Sequence, residues 1–246
     1  MTEPLFLGDL DSPRVGEEIV LAGDEGRHAA DVRRIKQGEV VLISDGAGTA
    51  VRGPVTAVAK GSLTVRVADI LHAGEPEVRY TIVQALPKGE RAVLAVELLT
   101  EAGIDRIVPW QAERSVAKWS PDRVERGLAR WRAAAREAAK QSRRFRVPVV
   151  TAPMTTAEVA LRLPQVTLAL VLHESATEPL ALVDVPARGE IVFVVGPEGG
   201  LTDAEVETLT QAGGRAVSVS DAVLRTSTAG VVALAQLQAL GRRARG

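Results

Sequence analysis

The chain has no cysteine and few aromatic side chains. Of its 246 residues, three are histidine and 3% are aromatic. Without a thiol, disulfides, thiolate nucleophiles and zinc or iron–sulfur sites with sulfur ligands are all excluded. Apolar residues make up 46% and charged residues 25% of the chain, which is typical of a globular protein with a sizeable core.

Long apolar runs are absent as well. The longest uncharged stretch, residues 226–240, contains two glutamines and is shorter than the roughly 20 residues that cross a bilayer. The first residues are acidic where a secretion signal is basic. These absences predict a protein without a membrane span or a secretion signal, and together with the missing cysteines they indicate a cytoplasmic location.

The net charge of −1 hides one strongly basic segment. Residues 120–146 carry nine Lys or Arg against three Asp or Glu, a local charge of +6. As a helix over 121–145, this segment has its apolar residues on one half and its cations on the other. A solvated face normally mixes both signs, so binding to a phosphate backbone is the better interpretation, with a plain solvated face as the alternative. The candidate contacts are Arg126, Arg130, Arg136, Lys140, Arg143 and Arg144, with a smaller cluster at Arg27, Arg33, Arg34 and Lys36.

The first 70 residues and the rest of the chain follow different patterns. Short β segments between residues 18 and 70, with glycine turns and one helix over about 24–34, predict a small β-barrel. Residues 71–77 predict a linker, after which strands alternate with helices as in a mostly parallel sheet. The sequence therefore predicts an α/β protein with two domains, residues 1–76 and residues 77–246.

A glycine-rich turn, here called the glycine loop (residues 196–200), follows a buried strand predicted at 191–195. It reads Gly-Pro-Glu-Gly-Gly, and Thr202 with Glu205 forms a capping box for the next helix. The spacing matches neither a Walker loop nor a dinucleotide fingerprint. Because Glu198 would repel phosphate, a cationic ligand without phosphate, such as S-adenosylmethionine, suits the loop; a tight turn without ligand is the alternative.

A second candidate lies just before the helix predicted to begin near Thr228. The hydroxyls of Thr226, Ser227 and Thr228 suit helix capping. Arg225, in contrast, stands at the positive end of a helix dipole, which is unfavourable unless an anion or an electron-rich base compensates. The alternative is an arginine that bends back to a neighbouring carboxylate.

His173 and Glu174 follow the strand predicted at 166–172, at the edge where α/β proteins bind ligands. The pair suits acid–base chemistry, ribose binding or a structural role. It does not suit a metal, because the other two histidines, His28 and His72, belong to the first predicted domain.

Taken together, these motifs resemble the RsmE family of 16S rRNA uridine-N3 methyltransferases, within the SPOUT superfamily. The most specific part of the resemblance is the glycine loop followed by Leu-Arg-Thr-Ser-Thr-Ala at 224–229. Further matching segments are residues 27–39, 88–103, Glu113-Arg114-Ser115 and 141–148. The resemblance spans nearly the whole chain.

The resemblance implies an N-terminal PUA-like barrel that holds RNA and a C-terminal SPOUT α/β domain with a trefoil knot around S-adenosylmethionine. It also implies a homodimer, for which the apolar helix predicted at 230–240 offers an interface. The sequence departs from the family's pattern at two places. Ser220-Asp221-Ala222 stands where a Gly-Pro-Arg type turn is usual, and Ser227 stands where Glu is frequent, which removes a carboxylate base there.

On this basis the sequence predicts methyl transfer to N3 of a uridine in 16S rRNA, within the 30S subunit and without a metal. Methylation at C5 normally needs a thiolate adduct, whereas N3 needs only loss of its proton and in-line attack on the methyl group. We expect Arg225 to be the catalytic residue, stabilising the uracil anion or anchoring its phosphate. The expected cofactor-binding residues are Leu172, His173, Glu174, Gly196, Pro197, Glu198, Gly199, Gly200, Val219, Ser220, Leu224, Thr226, Ser227, Thr228 and Ala229.

Two alternatives remain open at this point. One is a SPOUT methyltransferase that acts on a ribose 2′-hydroxyl or on N1 of guanine. The other is an RNA-binding ribosome assembly factor with an idle pocket.

Overall fold

The computed structural model describes residues 3–245, which form two compact units. The first unit contains the residues up to Glu75 together with Ala139–Val147, and the second contains Pro76–Ala138 and the residues from Pro148 onward. The main division lies one residue before the predicted one. The sequence prediction placed Ala139–Val147 in the second domain, but in the structure this segment packs with the first unit.

Hydrogen bonds explain why Ala139–Val147 belongs to the first unit. Ser44 Oγ donates to the carbonyl of Phe145 (3.1 Å), and the amide of Val147 donates to Gly46 O (2.9 Å). Arg146 Nη2 donates to Ala73 O (3.1 Å). These partners are distant in sequence, so no local pattern indicates them.

The first unit is built on a six-stranded sheet. Its path is β1-β3-β4-β5-β2, and β6 also pairs with β4; β1 and β3 are parallel and the other pairs are antiparallel. Apolar side chains from five of these strands meet in one core with Ala29 and Ile35. The strands are β1 (Leu5–Leu7), β2 (Glu18–Leu21), β3 (Val40–Ser44), β4 (Thr49–Ala59), β5 (Ser62–Arg66) and β6 (Asp69–His72).

One helical segment crosses this unit, as predicted, but it has two parts. Helix α1 (Gly23–Arg27) continues directly into a π-helical stretch, His28–Val32. Gly26 is required for close packing, because a Cβ there would lie 2.6 Å from the carbonyl oxygens of Leu21 and Gly61. Arg34 follows with a φ of 54°, which ends the segment.

The second unit alternates strands and helices around a six-stranded parallel sheet. The order is β12-β10-β11-β7-β8-β9, and every neighbouring pair is parallel. The predicted α/β class is therefore confirmed. The elements are β7 (Val78–Ala85), α2 (Arg91–Ala102), β8 (Arg106–Trp110), α3 (Val124–Gln141), β9 (Val149–Val150), α4 (Thr156–Arg162), β10 (Leu168–Leu172), β11 (Gly189–Val195), α5 (Asp203–Gln211), β12 (Arg215–Val217) and α6 (Thr226–Arg245).

Most differences from the predicted elements concern their ends. The basic helix α3 is shorter at both ends than the predicted 121–145, and α6 begins two residues earlier than expected. Strands β1 and β9 were not predicted, because segments of three and two residues are too short to show a periodicity. The trefoil knot stays a prediction.

The parallel sheet determines where a site can form. The strands β10, β11 and β7 are buried along almost their whole length, and all end at the same edge. The loops that follow adjacent parallel strands therefore meet at that edge, the usual place for ligands in α/β proteins.

Across residues 3–245, no helix combines the length and the apolar character needed to cross a membrane.

Candidate active site

A cavity of about 300 Å³ opens at the carboxyl edge of the parallel sheet in the second unit. Its walls are the loops after β10, β11 and β12, the first turns of α6, and Arg91 at the start of α2. Twelve of the fifteen predicted cofactor residues line it. Gly199, Ser227 and Thr228 lie outside this lining, and their contact with a cofactor stays a prediction.

The glycine loop forms the floor of this cavity. Gly200 has a φ of +71°, which favours glycine, and its amide donates to Pro197 O (3.0 Å) to close the turn. Glu198 Oε1 accepts from the amide of Lys88 (3.1 Å), which ties the loop to the segment after β7. The predicted capping box is present: Thr202 and Glu205 bond each other's backbone amides at the start of α5.

The start of α6 is joined to the glycine loop by a buried hydroxyl. Thr226 Oγ1 donates to Gly196 O (2.6 Å) and accepts from Gln84 Nε2 (3.1 Å). Thr228 Oγ1 donates to Arg225 O (3.1 Å). Both hydroxyls therefore donate to carbonyl groups, and the expected capping of helix amides by them is replaced by these bonds.

Gln84 is a site residue that the sequence reasoning missed. It is fully buried at the end of β7, and its Nε2 also donates to Ala85 O (3.1 Å). Within the described residues, its Oε1 has no hydrogen-bond partner. A glutamine in the buried second half of β7 was the available signal, although nothing local pairs it with Thr226.

Arg225 lines the cavity with an exposed side chain. Its carbonyl accepts the amides of Thr228 and Ala229 (2.9 Å each), which places it at the N-terminus of α6. No carboxylate among residues 3–245 forms an ion pair with it, so the bent-back alternative does not hold. Arg91, which the sequence reasoning also missed, lines the same cavity and is likewise without an ion pair within the described part of the chain.

Known proteins resemble this chain in both of its parts. A family model described as an RNA methyltransferase domain matches residues 74–238, and one described as an RNA methyltransferase PUA domain matches residues 21–68. Ribosomal RNA small subunit methyltransferase E of Mycobacterium bovis is 46% identical over 237 residues, covering 94% of this chain and 90% of that protein. The chain belongs to the ribosomal RNA small subunit methyltransferase E family.

Solved structures of similar proteins agree with this family over almost the whole chain. Ribosomal RNA small subunit methyltransferase E of Neisseria gonorrhoeae, bound to S-adenosyl methionine, has a TM-score of 0.86 at 27% identity, covering 97% of this chain and 98% of that one. The methyltransferase Lpg2936 of Legionella pneumophila, in complex with the cofactor SAM, has a TM-score of 0.87 at 25% identity with the same coverage. The predicted RsmE resemblance and the N-terminal PUA domain are confirmed.

In this family member, helix α3 has the amphipathic character that was predicted. Leu128, Trp131 and Ala135 are buried, and Trp131 packs edge-on against Trp119 with ring centroids 5.4 Å apart. The opposite face exposes arginines, and none of those predicted to bind RNA in residues 124–138 forms an ion pair with a described carboxylate. These are Arg126, Arg130 and Arg136.

Lys140 corrects the prediction for the end of this helix. Its side chain is only 7% exposed, and Nζ lies 2.8 Å from Glu25 Oε1. A buried ammonium that is paired with a carboxylate is not available to a phosphate, so Lys140 is held within the first unit instead. Arg144 is half-buried, whereas Arg143 remains exposed.

The smaller basic cluster lies in the first unit. Arg33, Arg34 and Lys36 are exposed, as RNA contacts need to be. Arg27 is also exposed but pairs with Asp24, which reduces the charge that it offers.

Across the described residues, no group of three or more His, Asp or Glu is arranged to hold a metal ion.

Proposed function

We propose that this chain transfers a methyl group from S-adenosylmethionine to N3 of a uridine in 16S rRNA of the small ribosomal subunit. The observation that carries the proposal is the cavity between the glycine loop and the start of α6, with the unneutralised guanidinium of Arg225 on its wall. Family membership and the relatives crystallised with this cofactor support it.

The residues of the cavity fit this cofactor. Its volume of about 300 Å³ lies within the range of small-ligand pockets. Two carboxylates, Glu174 and Glu198, line it, and both suit a cationic ligand and oppose a phosphate. The glycine loop brings backbone amides and carbonyls close to the space, where they can read the edge of an adenine.

The groups that would hold the cofactor are therefore mainly backbone groups and short side chains. When bound, S-adenosylmethionine supplies a methyl group on a positively charged sulfur. We assign its binding to the lining residues of the three loops and of α6: Leu172, His173, Glu174, Gly196, Pro197, Glu198, Gly200, Val219, Ser220, Leu224, Thr226 and Ala229.

Arg225 is the proposed catalytic residue. As the uracil loses its N3 proton, negative charge develops on the ring, and a guanidinium with no carboxylate partner is suited to stabilise that charge. Ser227 is buried and carries no carboxylate, so no acidic side chain at that position takes the proton. In this proposal catalysis is largely positioning and electrostatic stabilisation.

The choice of N3 rests on the chemistry that the chain can supply. No cysteine is available anywhere in the sequence for the covalent adduct that C5 methylation normally needs. The N3 atom lies on the Watson–Crick edge, so the target uridine must be unpaired or flipped out of its helix.

RNA binding is proposed for the exposed cations of each unit. In the second unit these are Arg126, Arg130 and Arg136, and in the first unit Arg27, Arg33, Arg34, Lys36 and Arg143; the half-buried Arg144 is proposed together with them. We further propose a cytoplasmic homodimer that acts on the 30S particle. Leu234 and Leu237 of α6 are fully buried within the single chain, so a dimer would use the other residues of that helix, such as Val231 and Leu240.

The test is methyl transfer followed by nucleoside mapping. Purified protein is incubated with S-adenosylmethionine and either 30S particles or naked 16S rRNA, and the digested nucleosides are identified by mass spectrometry and chromatography. We expect N3-methyluridine. A 2′-O-methyl nucleoside or N1-methylguanosine would refute the N3 assignment, and calorimetry without any binding at millimolar S-adenosylmethionine would favour the assembly-factor alternative.

A further inference from the structure

Arg114 contacts the glycine loop from outside the cavity. It belongs to the Glu113-Arg114-Ser115 segment after β8, which has no part in the function proposed above. Its Nη1 donates to two backbone carbonyls, those of Gly199 and Leu201, both at 3.2 Å. A guanidinium donor that binds two carbonyls of one turn holds both of their peptide groups in a fixed orientation.

These two carbonyls flank the residue on which the loop turns. Gly200, between them, has a φ of +71°, and its amide closes the turn on Pro197 O. Gly199 also lies against Arg114: a Cβ on Gly199 would be 3.2 Å from Arg114 Cβ and 3.4 Å from Arg114 O. The absence of a side chain at Gly199 is thus explained by contact with Arg114, in keeping with its position outside the cavity lining.

The backbone that carries Arg114 is itself fixed to the start of α5. Glu205 is buried, and its Oε1 accepts from the amide of Glu113 (2.8 Å). Its Oε2 accepts from the amide of Thr202 (3.0 Å), the residue that follows Leu201. One carboxylate therefore connects the residue before Arg114 with the end of the loop that Arg114 holds.

We propose that Arg114 is a positioning residue that holds the glycine loop in its cofactor-binding conformation before the cofactor arrives. The inference rests on the proposed function, since the loop is the floor of the proposed cofactor cavity. It gives Arg114 a role in cofactor affinity rather than in the chemical step, because preorganisation of a binding loop reduces the cost of binding. The alternative for an exposed arginine in a family of RNA methyltransferases is a direct contact to RNA phosphate.

The experiment compares Arg114→Ala and Arg114→Lys with Arg188→Ala, an exposed arginine whose ion pair with Glu77 is long, at 3.7 Å. By calorimetry we expect the Kd for S-adenosylmethionine to rise about five- to tenfold in Arg114→Ala, as for loss of a charged hydrogen bond at an exposed site. Arg114→Lys is expected to rescue part of this loss, and Arg188→Ala to match the wild type. The KM for the cofactor should rise in the same order, while kcat at saturation stays within about twofold.

Hydrogen exchange of the cofactor-free protein gives a readout that is independent of activity. The amide of Gly200, which closes the turn, should exchange faster in Arg114→Ala than in the wild type and in Arg188→Ala. Gly199→Ala is a second test of the same contact, because its added methyl group meets Arg114; it should weaken cofactor binding with Arg114 still present. This variant keeps the proposal testable if Arg114→Ala does not fold.

Three outcomes are decisive. If Arg114→Ala binds the cofactor with the wild-type Kd and instead loses RNA affinity, Arg114 is an RNA contact and the proposal is overturned. Unchanged exchange at Gly200 would overturn it as well. If the wild type itself does not bind S-adenosylmethionine, the proposed function fails, whereas the exchange measurement still decides whether Arg114 holds the loop.

Discussion

The two edges of the parallel sheet in the second unit partner their charges in opposite ways. Near the start of β11, Glu190 Oε1 accepts from Thr81 Oγ1 and from Arg162 Nη2, both at 2.6 Å, and lies 3.8 Å from Arg106 Nη1. At the carboxyl edge, Arg225 lines the cavity without an ion-pair partner in the described residues. The charge of Glu190 is neutralised within the fold, whereas the carboxyl edge leaves a cation exposed to the cavity.

The pairing at the first edge lowers the pKa of Glu190. Burial raises the pKa of this carboxyl, but the hydrogen bonds from Thr81 and Arg162 and the charges of Arg162 and Arg106 lower it further. The net pKa lies below the usual value. We therefore expect the paired charges around Glu190 to act in stability and the unpaired Arg225 to act on a ligand.

The largest effect on activity is expected at the carboxyl edge of the parallel sheet, where Arg225 has no ion-pair partner among the described residues. Replacing Arg225 with alanine should lower kcat about 100-fold, the usual cost of one donor that stabilises developing negative charge. The cofactor Kd should change less than about twofold, since this guanidinium is assigned to the uracil. Steady-state methyl transfer to 30S particles gives kcat, and calorimetry on the same preparation gives the cofactor Kd.

Arg188→Ala, which removes an exposed arginine with a long ion pair to Glu77, is the matched control for Arg225→Ala. It should leave kcat unchanged. If Arg225→Ala keeps more than a third of the wild-type kcat, the unpaired cation at the cavity has no catalytic role. The difference in pairing between the two edges would then have no consequence for activity.

The second effect concerns the unpaired cations of α3. Changing Arg126, Arg130 and Arg136 together to alanine should weaken RNA binding about tenfold or more and reduce the salt slope by about three. Cofactor affinity should not change, because none of the three lines the cavity. Filter binding or anisotropy at several salt concentrations measures the slope, and an unchanged slope would mean that this face is only solvated.

Whether the sequence predicts a contact depends on how far apart the two residues lie along the chain. The capping box of Thr202 and Glu205 and the turn of the glycine loop are readable, because their signals lie within a few residues. The buried bond between Gln84 and Thr226 joins residues 142 positions apart, and Arg114 is 85 positions from Gly199. No local pattern identifies such partners.

The prediction that Lys140 contacts RNA was wrong for the same reason, because its partner is distant in sequence. The helical pattern correctly places it on the basic half of the segment. Its partner Glu25 lies 115 positions away in the first unit, and this contact makes a nominally outward position buried. Periodicity predicts which half of a helix is polar, whereas tertiary packing decides whether that half meets solvent.

A smaller effect, on thermal stability, is expected at the opposite edge of the sheet, where Glu190 is paired. Glu190→Gln keeps an acceptor for Thr81 but removes the charge opposite Arg162 and Arg106, which should cost about 1 kcal/mol, or about 2–4 °C in Tm for a domain of this size. Glu207→Gln is the control, because its contact within the described residues is a hydrogen bond from Gln211 that a glutamine oxygen also accepts. Calorimetric Tm values for the three proteins at pH 7 are the measurement. An equal Tm for Glu190→Gln and wild type would mean that the pairing at this edge does not stabilise the fold.

The smallest effect is the pH dependence of that difference, and it tests whether charge is the cause. The pKa of Glu190 is lower in the folded protein than its usual value, so its contribution is fully present above the unfolded pKa of about 4.3 and is lost as the pH falls through the folded pKa. The Tm difference between wild type and Glu190→Gln should therefore be constant from pH 7 to about pH 5 and shrink below about pH 4. The Tm difference between wild type and Arg225→Ala should not shrink in this way, because arginine stays charged throughout this pH range. If the Glu190→Gln difference persists undiminished at about pH 3, hydrogen bonding and packing rather than charge hold this edge.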